Sequence, residues 1–103
     1  MRSSTVLLGS IALAALLVPA GRASATEAHY ACDGGTTLVA RFSPPDAQNG
    51  WVKLAFGDGR EMTLPQAPSA DGGRYVGDGV EFWIKGRSAT LTRAGESKTC
   101  STP

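Results

Sequence analysis

The chain has 103 residues, with 10 Lys+Arg against 9 Asp+Glu and a formal charge of +1. No basic stripe or polybasic tail stands out, which makes nucleic acid and anionic lipid poor partners. Two cysteines and one histidine are too few for a metal cluster, and no cofactor is expected.

The first 25 residues do not read as part of a fold. Arg2 gives a positive start, Val6–Pro19 is apolar almost throughout, and Ala23-Ser24-Ala25 offers a signal-peptidase pattern. A secretory leader over residues 1–25, cut before Thr26, is predicted, with a periplasmic destination. The apolar run falls short of the roughly 20 residues a spanning helix needs. The nearest cysteine, Cys32, follows Glu-Ala-His-Tyr-Ala and so is not placed for lipid attachment. No membrane anchor is therefore expected.

Residues 26–103 form one small domain, in which eight basic residues meet nine acidic ones. A chain this short buries only about 60% of its unfolded surface and needs a staple. Cys32 and Cys100 lie near its two ends. In an oxidising compartment they are expected to pair. A ring that large is worth on the order of 4 kcal/mol in the chain-entropy model.

Short runs of period two then follow one another. Leu38, Ala40 and Phe42 share a face, as do Val52, Leu54 and Phe56 in the next run. Met62 and Leu64 alternate. Val80, Phe82 and Ile84 oppose Glu81, Trp83 and Lys85, and Ala89 alternates with Leu91. Such alternation predicts antiparallel strands with one buried face. Asp58-Gly59 and Asp78-Gly79 are hairpin signals, and Ser43–Gly50 is the longest loop signal. Seven or eight short strands predict an all-β domain, either a small barrel or a sandwich.

Catalytic chemistry is hard to assemble. His29, the only histidine, is close to the predicted mature N-terminus, so no Ser/His/Asp set can be built without it. Asp58 and Asp78 sit in turns that favour Asp for its local hydrogen bonding. The glycines lack the Lys-Ser/Thr and helix of a phosphate loop. Binding is expected rather than catalysis.

The stretch Ser69-Ala70-Asp71-Gly72-Gly73-Arg74-Tyr75, followed by Phe82-Trp83-Ile84-Lys85-Gly86, resembles the signature of the MliC/PliC family, the membrane-bound or periplasmic inhibitors of C-type lysozyme. Tyr30-Ala31-Cys32 resembles the family's opening, and Ser88–Gly95 with the closing Cys100 resembles its end. The resemblance implies an antiparallel barrel of about eight strands whose ends are joined by a disulfide. It also implies inhibition by insertion of a loop into the lysozyme cleft. Ser69, Asp71, Gly72, Tyr75 and Lys85 are the contact residues it implies. A hydroxyl can bond both cleft carboxyls, and the Lys85 ammonium can neutralise the ionised one. Tyr75 is expected to brace the loop's exit.

One position departs from the family pattern, because Asp71 stands where the family has a Ser before Gly. A second carboxylate 4 Å from an ionised one is repelled by about 4 kcal/mol at an effective dielectric near 20. Three outcomes are open: Asp71 accepts the proton held by the lysozyme's acid, or it turns inward as an Asx-turn and leaves Ser69 to supply the hydroxyl, or the chain inhibits C-type lysozyme poorly. The Asx-turn is the expected one. The alternative function is a non-inhibitory periplasmic accessory or cell-wall-binding barrel that uses the same loop. A lysis assay with a C-type lysozyme separates the two.

Overall fold

The structure is a computed structural model and describes residues 26–103; the predicted leader lies outside them. Eight strands follow in order: β1 Thr26–Cys32, β2 Thr37–Phe42, β3 Trp51–Phe56, β4 Glu61–Ala67, β5 Gly73–Gly77, β6 Val80–Lys85, β7 Ser88–Arg93 and β8 Glu96–Ser101. A single 3₁₀ turn, Asp33–Gly35, joins β1 to β2. Each strand pairs antiparallel with the next, and β8 returns to β1, closing a barrel. Of the barrel and the sandwich, the barrel forms.

The period-two faces point where their chemistry sends them. Leu38, Ala40, Val52, Leu54, Phe56, Leu64, Val80, Phe82, Ala89 and Leu91 are buried inside. Phe42, Met62 and Ile84 pack against them from the barrel's ends. Burial of one large apolar side chain contributes about 1.5–3 kcal/mol, and no charged residue among those described competes for the interior. Tyr30 meets Phe82 edge-on with ring centroids 5.3 Å apart, and Tyr75 meets Phe42 at 5.8 Å. Burial raises the pKa of both phenols above the usual tyrosine value, and for Tyr30 the neighbouring Tyr75 adds to the effect.

Two seams of the barrel are thin. Most neighbouring strands pair over five or six residues. β4 and β5 pair only at Gln66↔Tyr75 and Ala67↔Arg74, just before the loop that joins them. β1 and β8 pair only at Ala31↔Ser101 and Cys32↔Cys100. The Cys32–Cys100 disulfide lies in that second seam and spans 68 positions of the chain. The bond therefore reinforces one of the two seams with the fewest register pairs.

The hairpins use their expected turn chemistry. Asp58 accepts the Arg60 backbone N–H at 3.0 Å and the Arg60 side chain at 3.1 Å. The backbone hydrogen bond first, then the nearby guanidinium, hold its carboxyl below the usual range. Asp78-Gly79 and Ala94-Gly95 both take positive φ, 52° and 75° in the first and 51° and 80° in the second. These mirror-image turns match the twist of the strands they join.

Candidate functional site

The loop between β4 and β5, Pro68–Gly72, lies against the far end of β6. Gly72 explains why it can. Its φ is +69°, and a Cβ there would overlap the Ile84 carbonyl oxygen and stand 3.3 Å from Lys85 Cγ. Only a residue without a side chain can hold this left-handed conformation and this close approach at once. The loop and Lys85 are thereby packed into one surface.

Side chains from β5 and β6 fix the rest of the loop. The Trp83 indole N–H donates to the Asp71 carbonyl at 2.8 Å. Ser69 Oγ donates to the Gly72 carbonyl at 2.7 Å, closing the loop on itself. Arg74 Nε donates to Glu81 Oε2 at 2.6 Å, and Nη1 reaches the Pro68 carbonyl at 3.4 Å. The Arg74 guanidinium also lies 5.4 Å from the centre of the Trp83 ring. Arg74 and Trp83 are register partners, as are Val76 and Glu81, so outward alternation on two paired strands brings these groups together.

Lys85 is exposed at the end of β6, with its ammonium 4.6 Å from the Trp83 ring centre. A cation over an indole face gains about 0.5–1 kcal/mol at an exposed site. That is enough to bias the side chain toward the loop and weak enough to release it to a stronger anionic partner. Trp83 thus touches the loop through its N–H and the cation through its face.

Four of the five predicted contact residues, Ser69, Asp71, Gly72 and Lys85, share this surface. The fifth, Tyr75, points into the barrel and is 8% exposed. A Cβ on Gly73 would stand 3.3 Å from its ring, so it supports the loop's exit from beneath. The expected Asx-turn at Asp71 does not form. Among the described residues no hydrogen bond reaches the Asp71 carboxylate; the loop is closed by Ser69 and held by Trp83. The reason is local: with Trp83 on the Asp71 carbonyl and Ser69 on that of Gly72, the turn needs no carboxylate. Trp83 as a clamp, and Glu81 as the acid that pairs with Arg74 behind it, were not predicted roles. Their one sequence signal is that Glu81, Trp83 and Lys85 alternate onto the outer face of β6.

The chemistry available is recognition. The surface offers one exposed ammonium, one exposed carboxylate and a hydroxyl oxygen with open lone pairs, all on a braced backbone. Among the described residues no group of three or more His, Cys, Asp or Glu comes together as a metal site.

Comparison with known proteins agrees with this picture. The family model described as membrane-bound lysozyme-inhibitor of c-type lysozyme, MliC, matches residues 30–99. A protein of Cupriavidus necator named membrane-bound lysozyme inhibitor of C-type lysozyme is 41% identical over 63 residues, 60% of this chain and 48% of that one. Its namesake in Yersinia enterocolitica is 38% identical over 65 residues, 63% of this chain and 51% of that one. The matched region spans about half the length of both relatives. The crystal structure of Pseudomonas aeruginosa MliC in complex with hen egg white lysozyme has the same fold, with a TM-score of 0.66 at 23% identity. The match covers 91% of this chain and 100% of that one. With its barrel, its disulfide and the family match over residues 30–99, the chain belongs to the MliC family of lysozyme inhibitors.

Proposed function

We propose that the protein inhibits C-type lysozyme by lodging the Ser69–Gly72 loop in the enzyme's cleft. Lys85 then neutralises the ionised catalytic carboxylate. Such a cleft holds one carboxyl kept protonated by its surroundings and one ionised carboxylate. The observation that carries this reading is the shared surface of loop and ammonium, locked together by Gly72 and Trp83. Pre-ordering lowers the entropy cost a free peptide would meet on binding. The relatives' names supply the class of target.

Residues 1–25 act, on this reading, as the leader that delivers the barrel to the periplasm, where incoming lysozyme attacks peptidoglycan. The pairing of both cysteines in the disulfide supports the reading without a lipid anchor.

The test is a lysis assay. Purified protein at micromolar concentration should slow clearing of a bacterial suspension by hen egg white lysozyme. Lys85→Ala should weaken inhibition by at least tenfold, because truncating one member of a desolvated charge pair costs about 2–5 kcal/mol. Lys53→Ala, on the outer face of β3, should leave it unchanged. Absence of inhibition by the unmodified protein would favour the accessory, cell-wall-binding role instead.

A further inference from the structure

The loop surface carries an ionisable group that insertion into an acidic cleft must accommodate. Asp71 is exposed at the apex, and among the described residues its carboxylate takes no hydrogen bond or ion pair. It cannot swing away with its backbone, because the Asp71 carbonyl is held by Trp83 and the next residue is pressed against Ile84. Ser69 cannot act for it as a free donor, since its hydroxyl proton is committed to the Gly72 carbonyl. The charged groups on the adjoining elements have other partners. On β5, Arg74 is paired with Glu81 of β6; on β6, Lys85 lies over the Trp83 ring; on the β6–β7 turn, Arg87 donates to the Pro103 carbonyl.

We propose that Asp71 is a specificity-determining residue that engages only the cleft whose general acid is protonated, which makes inhibition proton-linked. The inference rests on the cleft-insertion reading above. Lys85 meets the ionised carboxylate of the target. Asp71 then faces the other carboxyl, and two ionised carboxylates in contact repel one another strongly. When the target's acid holds its proton, the pair instead forms one short, charge-assisted O–H···O⁻ hydrogen bond. The proton stays between the two groups, and no other bond is made or broken. Above the pH at which the free acid deprotonates, near 6 in C-type lysozymes, forming the complex requires uptake of one proton. Affinity then falls as pH rises through that window, and below it no further gain from this acid follows.

The experiment measures Kd for hen egg white lysozyme by titration calorimetry from pH 6 to pH 8, in buffers of different ionisation enthalpy. The proteins compared are the unmodified one, Asp71→Asn and Asp71→Ser. Ionisations common to all three proteins cancel in the comparison. The unmodified protein should lose roughly tenfold in affinity per pH unit, in line with one linked proton. Its proton uptake should approach one per complex. Both variants should show a flatter profile, take up about one proton fewer and bind at least as tightly as the unmodified protein at pH 8. Tight binding by all three proteins with the same pH slope overturns this inference and leaves the proposed function standing. Failure of the unmodified protein to bind lysozyme at any pH overturns the proposed function and this inference with it.

Discussion

Trp83 shows how much one outward-facing residue can organise. Its ring lies beside the Lys85 ammonium and the Arg74 guanidinium, and its N–H holds the loop through the Asp71 carbonyl. Trp83→Phe keeps an aromatic face for Lys85 and removes only the hydrogen bond, a net loss of about 0.5–1.5 kcal/mol. Inhibition of lysozyme should weaken about two- to tenfold by the same measure, with the melting temperature nearly unchanged. Unaltered inhibition in that variant would show that the loop holds its shape without Trp83. The neighbouring residues behave differently under substitution because they do different work. On the proposals above, Lys85 supplies charge and Asp71 a proton acceptor, whereas Gly72 supplies only the absence of a side chain.

At the scale of the strand and turn, the β7–β8 hairpin invites a stability test. Ala94 occupies a left-handed conformation, φ 51°, that costs an L-residue about 1–2 kcal/mol. Asn tolerates that region and is favoured in this type of turn. Ala94→Asn should therefore raise stability by about 1 kcal/mol, several degrees of melting temperature for a domain of this size. A melting temperature that stays put or falls would show that the turn is not strained. The same scale shows what the sequence makes legible. The strands β2, β3, β4, β6 and β7 announce themselves because apolar and polar residues alternate along each. β1, β5 and β8 do not, for reasons visible in the barrel. Only Tyr75 is fully buried in β5, between glycines at both ends, and only Cys100 in β8. The outer positions of β7 and β8 pair as Ser88↔Ser101, Thr90↔Thr99 and Thr92↔Ser97, so β8 reads as a polar segment. A strand whose inner face is one cystine leaves no apolar rhythm to find. The site divides the same way. Lys85 and the Gly-rich loop are recognisable as a motif. The Trp83 bond is to a backbone carbonyl twelve residues away, and a main-chain partner has no residue signature.

The whole molecule depends on closure at two thin places. The β4–β5 seam carries the loop, and the β1–β8 seam carries the disulfide. Replacing both cysteines, Cys32→Ala with Cys100→Ala, should cost about 4 kcal/mol of stability, read as a lower urea midpoint. Amides of β1 and β8 should then exchange earliest, since only two register pairs remain to hold them together. A midpoint equal to that of the parent would mean that the ladder alone suffices. The position of the cystine has a further consequence for the life of the chain. While its thiols are reduced, only two register pairs hold β1 to β8, and strands that part there would become two borders, each a template on which a second molecule can add its own strand. Oxidation removes both borders in one step. Since thiols stay reduced in the cytosol and pair outside it, the proposed export route would let the barrel be sealed only once the chain has left the cytosol.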